Sequence, residues 1–337
     1  MGKILKQKPT FVNRTYRGGK KLKEFLGENN AVDGFQPEDW ISSFVQAKNK
    51  DYIENEGVST VEIGALSKLI TEVVTVEDFG ENRRESGVLI KFLDAGERLG
   101  IQVHPTKTFA KKIFNSSFGK TECWHILNTR EINGEKACVY IGFKQGITKE
   151  IWREFFLTQN VKGMLSYMHK FEVEKGDTIL VTGGTPHAIG SGCFLLEIQE
   201  PSDYTMRCET ITVAGEKLTP MQIHYGAGEE NMLDCFTYKG LTREEARKEF
   251  FIKNSFASDF IVSYENTTCF AIKKVENASI LEKCFTTVVV TENGGFLKGN
   301  GKEYSLKKGD RFFISANTRY DLVNANALIC YPPKKEN

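Results

Sequence analysis

The chain lacks the features that mark membrane and secreted proteins. No apolar run approaches the ~20 residues that a helix needs to cross a bilayer, and the first residues contain no apolar signal core. The eight cysteines are scattered and include no Cys-x-x-Cys pair. We therefore expect a cytoplasmic protein with free thiols and no membrane partner.

The chain also lacks an excess of either charge. Lys and Arg number 45 against 44 Asp and Glu, a formal net charge of +1, so we expect no nucleic-acid partner. The one basic run, at residues 17–23, is short, and we interpret it as a solvated turn and the start of a helix. Proline is scarce, with 8 residues, whereas 30 glycines suit many short strands joined by turns.

Short apolar segments separated by turns dominate the chain from residue 88 onward. This pattern predicts a mainly β fold of the jelly-roll kind, with a few short helices. The Asn133-Gly134 dipeptide predicts a tight turn that pairs strands at residues 121–127 and 137–143. Thr148 is placed to cap the N-terminus of an amphipathic helix that follows it.

A second helix signal divides the sequence. Thr242 and Glu245 form a capping-box pattern, which predicts a helix at residues 242–251 and a domain boundary beside it. We predict a metal-binding catalytic domain at residues 1–240, with N-terminal and helical insertions. A second, metal-free jelly roll is predicted at residues 241–337.

One sequence pattern occurs in both predicted domains. Residues 176–187 begin with Gly-Asp and end in Pro-His, and residues 309–320 repeat the Gly-Asp start at the same offset. Tyr320 stands in the repeat where His187 stood in the first copy. The repeat predicts two related barrels, of which only the first would hold a metal.

Four residues of the first barrel are candidate metal ligands: Gln102, His104, Glu122 and His187. Gln102 and His104 are two apart on a predicted strand, so their side chains share a face. A lone histidine or glutamate is more often structural, but the combination supplies two imidazoles, an amide and a carboxylate. Its single negative charge leaves a divalent ion electrophilic, which suits Lewis-acid chemistry. His125 lies on the opposite strand face, and we interpret it as structural.

Charged residues near these ligands are candidates for chemistry. Lys120 shares the strand face of Glu122 and could stabilise a developing oxyanion. Arg207 could fork onto a phosphate or an enediolate. Glu197 has apolar neighbours, and a buried carboxyl with a raised pKa is a candidate general acid or base. Lys91 is the one charge in an apolar strand and could face either a pocket or solvent; structural ion pairs remain alternatives for Arg207 and Glu197.

These motifs together resemble the type I mannose-6-phosphate isomerases, zinc-dependent cupin isomerases, in their short bacterial form. The resemblance is strong over roughly residues 88–210. It rests on the segments 93–95, 102–105, 119–124, 184–190 and 197–199, on Ser202-Asp203 and on Arg207.

The resemblance implies two cupin-like jelly-roll barrels and an interconversion of mannose 6-phosphate and fructose 6-phosphate through a cis-enediolate. It implies one Zn²⁺ per chain, held by Gln102, His104, Glu122 and His187. It also implies Arg207 as the catalytic arginine, with Lys120, Glu197 and Asp203 lining the pocket. Glu197, Lys120 and a zinc-bound water remain the candidates for moving the proton.

Two segments depart from the family pattern. Tyr16-Arg17-Gly18-Gly19 stands where a Trp-Gly-Gly element is usual, and Trp40 follows Pro-Glu-Asp rather than Glu-Ser. We expect these segments to border the sugar pocket, with Arg17, Trp40 and Lys91 contacting substrate. The alternatives are an isomerase for another aldose or aldose phosphate, a non-catalytic sugar-binding cupin, and a metal-dependent oxygenase, against which Gln102 argues. The sequence is compatible with a monomer or a homodimer.

Overall fold

The computed structural model describes residues 2–253 and 259–334. Within these ranges the chain is mainly β, as predicted, with short helices between the strands. The strands of the first part are β1 (Ile4–Lys6), β2 (Phe11–Val12), β3 (Glu38–Ile41), β4 (Thr60–Ile63), β5 (Leu66–Leu69), β6 (Leu89–Asp94), β7 (Gln102–Val103), β8 (Glu122–Thr129), β9 (Cys138–Lys144), β10 (Met168–Glu172), β11 (Thr178–Val181), β12 (His187–Ile189), β13 (Cys193–Gln199), β14 (Met206–Arg207) and β15 (Gly240–Leu241).

The later strands and the helices complete the described elements. The strands are β16 (Phe260–Val262), β17 (Ala271–Val275), β18 (Ala278–Ile280), β19 (Thr286–Val290), β20 (Phe296–Gly299), β21 (Lys302–Ser305), β22 (Arg311–Ile314), β23 (Tyr320–Val323) and β24 (Ala327–Tyr331). The helices are α1 (Lys20–Phe25), α2 (Ile70–Val73), α3 (Lys107–Phe114), α4 (Lys149–Leu157), α5 (Val161–Ser166), α6 (Pro220–His224), α7 (Glu229–Asp234) and α8 (Arg243–Phe250), with a 3₁₀ turn at Val76–Phe79. Across the described ranges, no helix is long and apolar enough to cross a membrane.

The sheets form two barrels with the same strand order. In the first, β11-β8-β13-β6 faces β10-β9-β12-β7; in the second, β22-β19-β24-β17 faces β21-β20-β23-β18. Extra strands extend the edges: β3 and β2 follow β6, β14 follows β7, and β1 pairs with β22. The prediction of two cupin-like jelly rolls is therefore confirmed.

The Asn-Gly turn forms, but the strand pairing predicted across it is wrong. Asn133 and Gly134 both have positive φ (53° and 79°), as a tight hairpin turn requires. However, β8 pairs with β11 and β13, whereas β9 pairs with β10 and β12. The turn carries the chain from one sheet of the barrel to the opposite one, because each strand finds its partners far along the chain.

The helix caps follow the sequence. The Thr148 hydroxyl accepts a hydrogen bond from the Ile151 N–H at the start of α4. Thr242 and Glu245 form a reciprocal capping box at the start of α8. Each cap satisfies N–H groups that the first turn of a helix leaves unpaired.

One sheet from each barrel packs against the other, which sets the direction of the polar side chains between them. Successive residues of a strand point to opposite faces: Leu196 of β13 lies in the apolar core between the barrels, and Leu195 lies inside the first barrel. Glu197 therefore points into the first barrel. The same alternation on β6 puts Phe92 between the barrels and Lys91 inside the first, so Lys91 faces the pocket and not solvent.

The two copies of the repeated pattern occupy equivalent places. His187 is the first residue of β12, and Tyr320 is the first residue of β23. Glu122 pairs with the last residue of β11, and Thr286 pairs with the last residue of β22. The hydroxyls of Thr286 and Tyr320 lie 3.0 Å apart, so a neutral hydroxyl pair stands where the first barrel has a carboxylate and an imidazole.

Candidate metal centre and active site

The predicted metal ligands come from the ends of three strands of the first barrel. Gln102 opens β7, Glu122 opens β8 and His187 opens β12. Gln102 and His187 are register partners in adjacent strands, and His104 follows two residues after Gln102. The barrel thereby gathers residues that are up to 85 positions apart in the chain, counting from 102 to 187.

Three of these residues form a tight buried cluster. One ligand atom each of His104, Glu122 and His187 lies within 4.8 Å of the others. His104 Nε2 is 3.0 Å from Glu122 Oε2 and 3.2 Å from His187 Nε2. His187 Nε2 is 3.6 Å from Glu122 Oε1. No more than 2 % of any of the three residues is exposed.

The hydrogen bonds of the imidazoles decide which nitrogen can bind a metal. His104 Nδ1 lies 3.0 Å from the Tyr204 carbonyl oxygen, and His187 Nδ1 lies 2.9 Å from that of Thr185. Because a carbonyl only accepts, Nδ1 carries the proton in both rings. Both Nε2 lone pairs then point into the cluster, which is the arrangement of metal-ligating histidines.

The protonation states also fit a metal ion. Burial, aided by the Lys120 ammonium, lowers the pKa of His104 to about 3. Burial also lowers the pKa of His187. Burial alone would raise the pKa of Glu122, but Lys120 and the two imidazoles bring it well below its usual value. Neutral imidazoles and an ionised carboxylate are the forms that bind a divalent ion.

Lys120 shares the cluster with these ligands. Its Nζ donates to Glu122 Oε2 at 2.6 Å and to His104 Nε2 at 2.7 Å. The other carboxylate oxygen, Glu122 Oε1, accepts from the Trp124 indole at 3.0 Å. A positive charge is thus favoured at this point of the barrel, and the donor set fits a zinc-like cation.

A narrow cavity of about 70 Å³ opens from this cluster. Seven of the residues predicted as metal-binding, catalytic or substrate-binding line it. They are Lys91, Gln102, Lys120, Glu122, Glu197, Asp203 and Arg207. Gln102, the predicted fourth ligand, is half-buried and lies beside Arg207, its register partner on β14.

Glu197 lies in the wall of this cavity, between Lys91 and Lys120. Its Oε1 lies 3.8 Å from the Nζ of Lys91 and 3.8 Å from the Nζ of Lys120. Burial raises the pKa of Glu197 to about 8, although Lys91 acts in the opposite direction. A carboxyl whose pKa lies near neutral pH is suited to proton transfer.

The sequence reasoning missed a further carboxylate in the cavity, that of Glu38 on β3. Its Oε1 accepts from the Tyr16 hydroxyl at 2.7 Å, and its Oε2 accepts from the Trp40 indole at 2.7 Å. Arg14 Nε lies 3.0 Å and Lys91 Nζ 3.7 Å from the same Oε2. Against the effect of burial, Arg14 and Lys91 lower the pKa of Glu38 to about 2.

Arg14, also missed from the sequence, links Glu38 to Asp203. Its Nη1 and Nη2 lie 3.2 and 3.1 Å from the two Asp203 oxygens. Burial opposes ionisation of Asp203, but Arg14 and then Lys91 lower its pKa. The unusual Glu-Asp-Trp sequence at residues 38–40 was the signal that could have pointed to Glu38. For Arg14 the only signal was its position three residues before Arg17, the cation that was predicted instead.

Two predicted substrate contacts lie outside the cavity. Arg17 is exposed, and its backbone N–H donates to Glu97. Trp40 is fully buried behind the wall and reaches the site only through Glu38. The segment around residue 17 turns its cation outward and places Tyr16 against the cavity instead.

Arg207 lies at the mouth of the cavity, where its Nη1 donates to carbonyl oxygens. These belong to Thr205, at 3.3 Å, and to Gln222. In the described residues no carboxylate lies within 4.0 Å of this guanidinium. Arg207 therefore differs from Arg14, which is paired twice, and keeps donors for an anion.

Curated proteins similar to this chain share one description. It is 27% identical to a probable mannose-6-phosphate isomerase of Bacillus subtilis over 238 residues, 68% of this chain and 69% of the relative. It is 29% identical to a putative mannose-6-phosphate isomerase of the same organism over 231 residues, with the same coverage. No protein-family model matches the chain.

Two solved structures with similar folds are also described as mannose-phosphate isomerases. The mannose 6-phosphate isomerase of Bacillus subtilis superimposes with a TM-score of 0.73 at 24% identity, covering 97% of this chain and 98% of that one. A putative mannosephosphate isomerase from Archaeoglobus fulgidus gives 0.74 at 18% identity, covering 98% of each chain.

Fold and site together define a cupin of two jelly-roll barrels, of which the first gathers a buried cluster able to hold a metal ion. The resemblance inferred from the sequence is confirmed by the comparisons. The chain is similar in sequence to proteins described as mannose-6-phosphate isomerases, and it shares the fold of solved structures with that description.

Proposed function

We propose that the protein is an aldose–ketose isomerase that interconverts mannose 6-phosphate and fructose 6-phosphate. The observation that carries this proposal is the pair of imidazole lone pairs facing the Glu122 carboxylate beside a cavity lined with Lys120, Glu197 and Arg207. Relatives similar over two thirds of their length are described as probable or putative mannose-6-phosphate isomerases, which supports the same activity.

We propose one Zn²⁺ per chain, held by Gln102, His104, Glu122 and His187. When bound, the ion supplies a Lewis acid that polarises sugar oxygens next to the reacting carbons. Two neutral imidazoles, one amide and one carboxylate are ligands that zinc accepts in proteins. The buried setting of the cluster strengthens charge interactions with the substrate.

We assign Lys120 and Arg207 to the stabilisation and binding of negative charge on the substrate. Lys120 lies with its ammonium beside the ligand cluster, where it can donate to an oxygen that becomes negative in the cis-enediolate. Arg207 has unpaired donors at the mouth and fits the anionic part of the substrate. The Lys120 contribution grows with the negative charge of the enediolate, so it favours the transition state over the bound sugar, whereas Arg207 binds the anion equally in both states.

Glu197 is the residue we propose as the general base. Its carboxylate would remove the C2 proton of the aldose and return it to C1, while the proton of the 2-hydroxyl passes to O1, so that C2 becomes the carbonyl carbon of the ketose. Oε1 lies between the two ammonium groups, each at 3.8 Å, so its ionised form has nearby positive partners. The base must be ionised to act, and its raised pKa makes it a stronger base than an exposed glutamate.

Glu38 and Asp203 have a different role from Glu197. Both carboxylates are saturated by partners, of which Arg14 serves both, and both pKa values are lowered. They are poor proton acceptors at neutral pH. We propose that they hold Arg14 and Lys91 at the cavity wall and thereby keep its shape.

Three wider proposals accompany this function. We propose two structural units, residues 1–240 and 241–337. β1 of the first extends a sheet of the second, and the Ile252 N–H, just after α8, donates to the Thr178 carbonyl oxygen of the first. We propose a cytoplasmic location, which agrees with eight free thiols. We propose a sugar phosphate as the small-molecule partner.

A coupled assay tests the function. The zinc-loaded protein is incubated with mannose 6-phosphate while fructose 6-phosphate formation is followed, beside an EDTA-treated sample and Arg207→Ala. We expect turnover in the first sample, recovery of the EDTA-treated sample on adding zinc, and a large loss in the variant. Absence of turnover in protein that carries one metal per chain would reject this substrate.

A further inference from the structure

The wall of the cavity contains a charged pair that the proposed mechanism does not use. Arg98 and Glu209 both line this cavity. Arg98 Nη1 donates to Glu209 Oε1 at 2.6 Å, and Arg98 Nη2 donates to Glu209 Oε2 at 2.8 Å. Glu209 Oε1 also accepts from the Ile101 N–H at 2.7 Å. Both carboxylate oxygens are therefore occupied, and the pair is not arranged to bind a substrate.

The value of this pair lies in its geometry. The side chain of Glu209 is 5 % exposed and that of Arg98 is 17 % exposed. A buried ion pair adds little to stability by itself, because both charges lose their hydration. A planar guanidinium that binds both oxygens of a carboxylate nevertheless fixes the direction and the distance of its partner. The pair is therefore suited to hold two segments of backbone in one relative position.

The two segments are the strand that carries Arg207 and the strand that begins with Gln102. β14 is only two residues long, and it pairs with β7 so that Arg207 is the register partner of Gln102. The Cys208 N–H then donates to the Ile101 carbonyl oxygen at 2.8 Å. The bond from the Ile101 N–H to the Glu209 side chain extends this pairing beyond the end of the strand.

The register of this short strand decides which way Arg207 points. Side chains alternate between the two faces of a sheet, so a slip by one residue exchanges the faces. Met206 and Cys208 lie in the apolar cluster on one face, whereas Arg207 and Glu209 face the cavity. A slip by one residue would therefore move Arg207 out of the cavity and into the apolar cluster. Two strand positions specify the register weakly, so the additional bonds of Glu209 are needed.

The opposite edge of β14 is held by a side chain. The Gln159 amide donates to the Cys208 carbonyl oxygen at 3.2 Å and accepts from the Thr210 N–H at 2.8 Å. Gln159 follows α4 and has a left-handed φ of 48°, a costly conformation for a residue other than glycine. Gln159 thus ties this segment to the helices, whereas the bonds of Glu209 tie it to β7 and set its register.

We propose that Arg98 and Glu209 are positioning residues, whose ion pair fixes the register of β14 and so holds the Arg207 guanidinium in the cavity. This assignment rests on the proposed isomerase activity and adds to it the contact that orients a substrate-binding residue. Neither Arg98 nor Glu209 binds the substrate itself. Loss of the pair should therefore act on the reaction only through Arg207.

A double-mutant cycle on the zinc-loaded protein tests this dependence. Arg98→Met should raise KM for mannose 6-phosphate by about tenfold and change kcat much less, because Arg207 binds substrate and transition state equally. In an Arg207→Ala background the same substitution should change KM by less than about twofold. Arg98→Lys keeps the charge but cannot bind both carboxylate oxygens, so it should raise KM by a smaller factor, again only where Arg207 is present.

Hydrogen exchange gives a readout that does not depend on turnover. In Arg98→Met the amides of Ile101 and Cys208 should exchange at least about tenfold faster than in the wild type. Arg130→Met is the matched control, because it removes an arginine side chain that is 14 % exposed and pairs with Asp33. Neither residue of that pair is among those that line the cavity. This control should change neither KM nor the exchange of the two amides.

Two results would overturn the assignment. If Arg98→Met raises KM by the same factor with and without Arg207, Arg98 acts on the substrate or on the whole fold and not through Arg207. Unchanged exchange at Ile101 and Cys208 would show that the pair does not hold β14. If the wild type does not convert mannose 6-phosphate, the isomerase proposal fails, and the exchange comparison alone decides the role of the pair in β14.

Discussion

Arg311 Nη1 lies 2.6 Å from Asp39 Oδ2, and this buried ion pair joins the second barrel to the active-site wall of the first. Asp39 sits on β3 between Glu38 and Trp40, whose side chains are hydrogen-bonded to each other on the opposite face of the strand. The second oxygen of Asp39 accepts from the Thr10 N–H at 2.6 Å. The second barrel therefore helps to hold the strand that carries Glu38.

Removing one member of this pair should destabilise the protein strongly. Arg311→Met leaves the Asp39 carboxylate buried without its partner, and we expect a loss of about 3–5 kcal/mol in the free energy of unfolding. Denaturant unfolding measures it. As control, Arg311→Met combined with Asp39→Leu removes both charges and should recover a large part of the loss. A cost below 1 kcal/mol for Arg311→Met alone would show that the pair does not hold the barrels together.

Because Thr286 and Tyr320 stand in the second barrel where Glu122 and His187 stand in the first, we predict one zinc ion per chain, bound in the first barrel. His187→Ala removes an imidazole from the first barrel and should reduce bound zinc from one per chain to a small fraction after dialysis. Tyr320→Phe changes the equivalent position of the second barrel and should keep one zinc per chain. Elemental analysis of both dialysed variants measures this. Two metals per wild-type chain, or a loss of zinc in Tyr320→Phe, would contradict the assignment.

The raised pKa of Glu197 predicts the pH dependence of activity. A base acts when ionised, so kcat/KM should rise with pH, with an apparent pKa above the ~4.3 of an ordinary glutamate, because burial raises the pKa of Glu197. Glu197→Gln should lower kcat/KM by about 10²–10⁴-fold and abolish this rise. A pH–rate profile from pH 4 to 9, recorded for the wild type and for Glu197→Gln, tests whether Glu197 is the base. A rise centred near pH 4, or a variant with wild-type activity, would exclude Glu197 as the base.

The same pKa predicts how stability changes with pH. Glu197 holds its proton more tightly in the folded than in the unfolded protein, so its stabilising contribution is complete below about pH 4.3 and is lost as pH rises through about 8. Glu197→Gln cannot ionise and should escape this loss. In EDTA-treated samples, the Tm of the variant relative to wild type should increase between pH 5 and pH 9. A difference independent of pH would mean that the Glu197 pKa is not raised.

The barrel fold and the metal cluster could be predicted because their signals are local. The Gly-Asp start and the Pro-His end lie within twelve residues, and the Gln-x-His spacing fixes one strand face. Each predicted ligand lies at or next to a strand end, so knowing the barrel was enough to bring them together. Tyr320 could be placed at the position equivalent to His187 for the same reason.

The cavity wall could not be predicted as well, because it depends on distant pairings. Trp40 and Lys91 are register partners on β3 and β6, 51 positions apart in the chain, and nothing near Glu38 in sequence indicates that pairing. Arg17 and Arg14 are both plausible cations from the sequence. Only the packing of the segment decides that Arg14 enters the cavity and Arg17 faces solvent.

The pairing error at Asn133-Gly134 has the same origin. The turn itself is local and forms as predicted. Whether the flanking strands pair with each other depends on competing partners, and β13 pairs with β8 along seven residues, Cys193 to Gln199. β11 pairs along the other edge of β8, so neither edge is left for β9.

The most direct test of the account is NMR of mannose 6-phosphate deuterated at C2, incubated with protein that carries one zinc per chain. We predict that fructose 6-phosphate appears and that deuterium leaves C2, to C1 or to solvent, at a rate reduced at least a hundredfold in Glu197→Gln. A spectrum of mannose 6-phosphate that stays unchanged with the zinc-loaded wild type would contradict the account.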